Sequence, residues 1–380
     1  MIRHSLLLIL MLLPFPDLSP VMADTGRSPK CLAILQSEGP RLVEPGVMDD
    51  QSVELFDLES GWLELPADEC LAIIRKDGWI PRRASTRVHL NDGQVFSGSL
   101  ISSDSEVIMI DHLWMRELEI PLENVIRIDF KPGTKIPAGD TDRLVLVNGD
   151  LLTGFIDQVG NPTIIETDDG QRIEVPSDRV AAVALMNDPR PPAWPQLWTV
   201  DGLRMSVPNI AIDDTDHLVL PPHPFMKGRY ERLPRTSEIV ALVIKGDHFV
   251  PLAELPVVTT STEPARRTST SPRKSDSFAP LGLTDLHFSG PAKFNFQLPD
   301  GSSRLRSTIT RPQRSRKWSN PILRISAGDQ LLWEQEIEST HLVDIPIPPV
   351  TESLTMEIVC GMHGPVHCGI TLNDPLIMKE

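Results

Sequence analysis

Between residues 85 and 131, apolar and polar side chains alternate in five short runs, each bounded by turn-forming residues. Arg87-Val88-His89-Leu90 leads into Asn91-Asp92-Gly93 and then into 94–101. Such a step between alternating runs predicts a hairpin, because a tight turn needs residues that tolerate positive φ. Runs at 106–110, 117–120 and 125–130 predict three further strands, since a period of two puts one set of side chains on one face. Residues 141–187 repeat the plan, with runs at 144–147, 151–156, 163–166, 172–175 and 180–185 around the turn Asn148-Gly149-Asp150. In both stretches a second glycine follows the turn glycine, Gly98 after Gly93 and Gly154 after Gly149, where it lets the second strand bend sharply.

The fourth run ends in a recurring motif: Leu63-Glu64-Leu65-Pro66, Leu118-Glu119-Ile120-Pro121, Ile173-Glu174-Val175-Pro176 and the more degenerate Glu231-Arg232-Leu233-Pro234. The prolines lie 55, 55 and 58 residues apart. A fixed period of that length means an array of similar modules, here at 31–76, 85–131, 141–187 and 196–256. The first keeps Gly39 in the frame of the turn glycine; the fourth keeps Asp201-Gly202 and adds the loop Pro221-Pro222-His223-Pro224. Five short, bent strands with a glycine in the second resemble the small barrels of Sm-like and SH3-like domains. RNA-binding Sm proteins use an Asp, Asn, Arg and Gly set in two loops that these repeats lack, so the resemblance implies a fold and not an RNA ligand.

Residues 257–279 are rich in Thr, Ser, Pro and Arg and carry the composition of a disordered linker. From residue 280 the runs lengthen, at 293–298, 303–309, 322–326, 330–337, 340–347, 353–360 and 367–373, which predicts an antiparallel sandwich. The blocks Phe294-Asn295-Phe296-Gln297-Leu298-Pro299, Leu323 to Trp333, Val343-Asp344-Ile345-Pro346-Ile347, Leu354 to Val359 and Ile370 to Ile377 resemble NPCBM-type modules in their order. That resemblance implies a galactose-binding-like jelly roll and carbohydrate binding. It departs from the family where a Gly-Ile-Asp block is replaced by Ser307-Thr308-Ile309-Thr310. The expected fold is all-β: tandem five-stranded barrel-like repeats followed by a C-terminal β-sandwich, 280–380.

Charge and cysteine usage refine the picture. The formal net charge is −16, and residues 24–256 hold 38 acidic against 22 basic side chains. An acidic array lacks the clustered Lys and Arg that phosphate backbones require, so no nucleic-acid partner is expected. Arg3 and His4, the apolar 6–13 and Val21-Met22-Ala23 follow the plan of a signal peptide at 1–23, which implies export to the periplasm or beyond; no later span is expected. Four cysteines in an oxidising compartment favour disulfides, expected as Cys31 with Cys70 and Cys360 with Cys368.

Carbohydrate modules stack sugar rings on exposed aromatics and hold hydroxyls with polar side chains. The candidates in the sandwich are Trp318 with Arg316 in a basic loop, and the pair Asn373-Asp374. The segment from Cys360 to Cys368, with His363 and His367, matches no zinc spacing, so no metal or cofactor is expected. No catalytic motif is present: there is no Gly-x-Ser-x-Gly, no His-Glu-x-x-His, no phosphate loop and no dinucleotide fingerprint. Acidic pairs such as Asp49-Asp50, Asp168-Asp169 and Asp213-Asp214 fall in predicted turns. The chain therefore reads as an exported, non-catalytic modular protein that binds cell-envelope or extracellular polysaccharide through its sandwich, with the repeats as a spacer or protein-contact array. A protein-contact scaffold of the envelope is the alternative, and an accessory relative of a secreted glycoside hydrolase a third.

Overall fold

A computed structural model describes residues 30–57, 60–76, 86–213, 215–261, 271–276, 279–312, 320–361 and 368–380. The expected signal peptide lies outside them. Among the described residues the structure is all-β, with helical geometry confined to 3-10 turns of three residues. Repeat 1 contains β1 (Cys31–Leu35), β2 (Arg41–Met48), β3 (Ser52–Asp57), β4 (Gly61–Pro66) and β5 (Cys70–Arg75). Repeat 2 contains β6 (Thr86–Leu90), β7 (Val95–Ser103), β8 (Val107–His112), β9 (Arg116–Pro121) and β10 (Val125–Asp129). Repeat 3 contains β11 (Asp142–Leu146), β12 (Leu151–Gln158), β13 (Thr163–Thr167), β14 (Arg172–Val175) and β15 (Val180–Ala184). Repeat 4 contains β16 (Gln196–Thr199), β17 (Arg204–Ser206), β18 (Ala211–Ile212), β19 (Leu218–Val219) and β20 (Ile239–Val243).

In repeats 1 to 3 the strands pair in the order fifth, first, second, third, fourth, and a 3-10 turn after the motif proline connects the fourth to the fifth. No pairing joins fourth to fifth strand among the described residues, so each barrel-like repeat is a bent five-stranded sheet in which no closed barrel is shown. The bend falls at the second glycine. Strand β7 pairs with β6 up to Gly98 and with β8 from Ser99. A Cβ on Gly98 would collide with Ile110 and meet the Asp111 carbonyl oxygen at 2.5 Å, and Gly154, at φ +150°, lies against the Glu166 carbonyl. Only glycine fits so close a backbone approach.

The repeats do not stack in sequence order. Strand β5 pairs with β20 and β10 with β15, which couples repeat 1 to repeat 4 and repeat 2 to repeat 3. Both couplings share one register: Ile73 faces Leu242, and Ile128 faces Val183, the fourth residue of each strand against the fourth of its partner. Two four-stranded sheets result, β1-β5-β20-β16 and β6-β10-β15-β11, linked where β17 meets β7. Ala33, Ile73, Leu242 and Leu197 from one and Val88, Ile128, Val183 and Leu144 from the other belong to a common core.

The C-terminal unit contains β21 (Phe249–Pro251), β22 (Val257–Ser261), β23 (Arg273–Lys274), β24 (Leu286–Ser289), β25 (Ala292–Gln297) and β26 (Ser302–Thr310). It continues with β27 (Ile322–Ala327), β28 (Gln330–Glu336), β29 (His341–Pro346), β30 (Ser353–Val359) and β31 (Gly369–Lys379). One sheet runs β23-β24-β31-β26-β29, with β21 also on β31; the other runs β22-β25-β30-β27-β28. Phe288, Phe294, Phe296, Leu305, Ile325 and Leu354 fill the space between them.

Two expectations are corrected. The sandwich begins at β21, inside the stretch assigned to repeat 4, because Phe249 and Pro251 extend a ladder with Met378 and Leu376. The expected linker 257–279 contributes β22, which pairs with β25 from Val257 to Ser261, and β23; its β-branched Val257-Val258-Thr259 suits a strand. The sandwich also packs directly on the repeats. Leu376, Met378, Phe249 and Leu283 share a core with Leu32, Ile34, Ala72, Ile74, Ala241 and Val243 on the outer face of β1-β5-β20-β16. Arg306, 3% exposed, reaches from the sandwich and donates to the carbonyls of Leu35 (2.9 Å) and Glu38 (2.7 Å).

Candidate functional site

Trp318 and Arg316 lie outside the described residues. Asn373 and Asp374 are described, and both have structural partners. Asn373 Oδ1 accepts from Thr310 Oγ1 at 3.1 Å. Asp374 pairs with Lys76 of repeat 1 at 2.5 Å, and its backbone N–H donates to Asp285 Oδ1 at 3.3 Å. Burial raises the Asp374 carboxyl above its ordinary value and Asp285 adds to the effect, while Lys76 opposes it. Asp374 thus joins the sandwich to repeat 1, while Asn373 bonds within the sandwich.

The cysteine pairing Cys31–Cys70 is excluded by register. In the antiparallel β1–β5 ladder Cys31 faces Arg75 and Cys70 faces Leu35, so the cysteines sit at opposite ends. Four residues at ~3.4 Å each separate them, well beyond disulfide reach. Cys70 is a free thiol that burial pushes up to about 12, which makes it unreactive. Cys360 is also a free thiol, so its expected bond to Cys368 is not formed here, although both residues border the sandwich core. The segment between them, 362–367, lies outside the described residues. Among the described residues no three His, Cys, Asp or Glu side chains are placed to hold a metal ion, and no helix is long and apolar enough to cross a membrane.

One buried polar cluster contains a serine, a histidine and an aspartate. Ser97 Oγ donates to Asp201 Oδ2 at 3.1 Å, and His112 Nε2 lies 3.1 Å from the same oxygen. Burial would raise the Asp201 carboxyl, but the His112 bond and charge, with hydrogen bonds from Thr199 and Ser97, outweigh it and hold the carboxyl at about 2. Nucleophilic catalysis needs the serine on the imidazole. Here serine and histidine both serve one carboxylate, and His112 is 1% exposed. The cluster ties repeat 2 to the Asp201-Gly202 turn of repeat 4.

An exposed aromatic platform stands on the β3–β4 hairpin of repeat 1. Alternation turns Val53, Leu55 and Asp57 inward and leaves Glu54, Phe56, Trp62 and Glu64 on the outer face. Trp62 is 70% exposed. It faces Phe56 across the ladder, edge to face, with ring centroids 5.5 Å apart. Gly46 of β2 backs the indole: a Cβ there would come within 3.0 Å of the ring carbon Cζ3. Glu54 and Glu64 sit directly opposite one another, and Glu44 faces Phe56 from β2. Glu54, Trp62, Leu63 and Glu64 line an open cleft of about 340 Å³. An exposed indole held against Phe56 and Gly46 suits the apolar face of a pyranose, and carboxylates beside it can accept from ring hydroxyls. Trp62 lies outside the sandwich, yet its place in the alternation, outward beside the inward Leu63 and Leu65, is a signal in the sequence.

No family model matches the chain, and no curated protein does. Similar solved structures include the CBM51-2 and INT domains of ZmpB from Clostridium perfringens, at 9% identity over 34% of this chain and 31% of that one, with a TM-score of 0.29. A CBM51 module of a GH95 protein from the same organism, in complex with methyl-galactose, is 10% identical over 34% of this chain and 99% of that one, with a TM-score of 0.28. Tandem CBM51 modules of Sp3GH98 from Streptococcus pneumoniae are 11% identical over 77% and 88%, with a TM-score of 0.29. Likeness this distant lends no weight to a choice of ligand. The chain spans about a third of the ZmpB fragment.

Proposed function

We propose that this is an exported, non-catalytic carbohydrate-binding protein, and that a sugar ring stacks on Trp62 of repeat 1. The exposure of a tryptophan that lies close to Gly46, beside the Glu54–Glu64 pair, carries this reading. An indole left in water at that exposure contributes nothing to the repeat core, whereas a ligand that covers it gains apolar burial and hydrogen bonds together. The carboxylates favour hydroxyl-rich neutral glycans and disfavour polyanions. The sandwich then holds repeat 1 in place, and Trp318 is a second candidate platform.

Glycan-array screening of the full chain, followed by titration calorimetry with the best binder, tests the reading. Trp62→Ala is expected to weaken binding at least about tenfold, on the scale of one lost stacking contact, while Trp318→Ala leaves it unchanged. Loss of binding in Trp318→Ala alone would move the site to the sandwich, and no binding to any glycan would leave the protein-contact scaffold.

A further inference from the structure

Strands β4, β9 and β14 occupy the same place in three repeats and share one register: Leu63, Leu118 and Ile173 face Leu55, Ile110 and Ile165. In repeat 2 the outer edge of this strand is covered by the chain's own repeat 4 loop. Glu119 N–H donates to the Phe225 carbonyl at 2.8 Å, and Lys227 N–H donates to the Glu117 carbonyl at 3.2 Å. Met226 sits opposite Leu118, antiparallel, and Lys227 Nζ pairs with Glu119 at 2.5 Å. Under that cover Leu118 is 0% exposed.

Repeat 3 presents the same edge uncovered. Strand β14 pairs only with β13 among the described residues. By register, Glu174 N–H and the Arg172 carbonyl hold the places of Glu119 N–H and the Glu117 carbonyl. Ile173 is only half-buried although its ladder partner Ile165 is 0% exposed. Arg172 is engaged by Asp157 at 3.0 Å. That leaves Glu174 exposed and without an ion pair among the described residues, where Glu119 has Lys227.

We propose that the outer edge of β14 docks an extended segment of a partner protein, which adds as an antiparallel strand with an apolar residue over Ile173 and a basic residue on Glu174. Backbone hydrogen bonds supply affinity in this mode, and the two side-chain positions supply selectivity. The acidity of the array favours a basic partner. The proposal does not rest on the glycan reading: β14 belongs to repeat 3, and the corresponding lip of repeat 1 carries Trp62.

The probe is a labelled peptide with the sequence of residues 223–229, His-Pro-Phe-Met-Lys-Gly-Arg, added to the full-length chain. Hydrogen exchange followed by NMR or mass spectrometry should show protection of the Glu174 amide on binding. Glu174→Lys should weaken binding about tenfold or more, as should aspartate in place of the peptide's methionine, while Trp62→Ala has no effect. Glu174 is exposed, so an unchanged melting temperature of Glu174→Lys establishes that the variant is folded. The proposal fails if the Glu174 amide stays unprotected at saturating peptide, as a short charged edge that merely repels pairing would leave it. It fails equally if Glu174→Lys binds like the parent chain. Sedimentation showing a dimer that Glu174→Lys dissociates would overturn the foreign partner in favour of a second copy.

Discussion

In the sheet β1-β5-β20-β16, the positions facing away from the repeat core are Leu32, Ile34, Ala72, Ile74, Ala241 and Val243; in β6-β10-β15-β11 the matching positions are Arg87, His89, Arg127, Asp129, Ala182 and Ala184. The first face is apolar and lies under the sandwich. The second is polar on its β6 and β10 side and meets the connection between repeats 2 and 3. There Arg127 donates to the Thr134 carbonyl at 2.6 Å, and Asp129 binds both Arg127 and His89. Identical strand pairing thus serves two ends: one face recruits another layer, and the other pairs Arg127, Asp129 and His89 within the array. Register is set by the buried fourth residue of each fifth strand, and the residues on either side of it decide what the sheet packs against.

The largest expected effect comes from giving the first face the charge of the second. Ile74 is fully buried, at the position Asp129 occupies in the other pair. Ile74→Asp places an unpaired carboxylate in the core shared with the sandwich and should cost more than about 4 kcal/mol. Denaturant unfolding would register the loss, and limited proteolysis would find the sandwich released. A cost below about 1 kcal/mol would mean that the sandwich is not seated there in solution.

This difference between the faces was written in the sequence. Leu71-Ala72-Ile73-Ile74 and Ile239-Val240-Ala241-Leu242-Val243 are continuous apolar runs, the mark of strands buried on both faces, while Val125-Ile126-Arg127-Ile128-Asp129 alternates. The strands of repeats 2 and 3 and of the sandwich were legible for the same reason. The pairing of repeat 1 with repeat 4 was not, because it joins Ile73 to Leu242 across the length of the array with no local signal. The same distance hid the role of Asp374 in the sandwich, whose partner Lys76 comes from repeat 1. The Cys31–Cys70 expectation failed on geometry: both residues begin their strands, and the starts of antiparallel strands lie at opposite ends of a ladder.

A second test reaches the seam where repeat 4 covers repeat 2. His223 is buried between Phe96 and Phe225; Nε2 donates to Gln94 Oε1 at 3.2 Å, and Nδ1 accepts from the Phe225 N–H at 3.3 Å. Burial lowers its pKa to about 4, against a small opposing effect of Asp92. The folded protein therefore binds this proton less readily than the unfolded chain. The stabilisation is full above pH 6.5 and is lost as pH falls towards 4, in total ~3 kcal/mol. Denaturation measured across that range should show the slope, and His223→Gln should flatten it. In the polar face, Asp129→Asn should cost about 2 kcal/mol, because Arg127 and His89 would lose a charged acceptor. Thermal unfolding would show it, with no effect on the docking of the sandwich.

The smallest effect concerns the ion pair at the edge of the sandwich contact. Lys76 and Asp374 are 30% and 16% exposed in their side chains, so solvent screens much of their attraction, and Lys76→Met should cost about 1 kcal/mol at neutral pH. Its pH dependence is the sharper signature. Burial and Asp285 already raise the Asp374 carboxyl, and loss of Lys76 removes the charge that lowers it. The folded state then binds the proton more readily than the unfolded chain, so acidification towards the ordinary carboxylate value of 3.8 neutralises the buried charge and relieves the defect. The Lys76→Met penalty should therefore shrink as pH falls, opposite in sign to the His223 slope. A penalty that stays constant from neutral pH to 4 would show that Asp374 is solvated and that the apolar contact alone holds the sandwich on the first sheet.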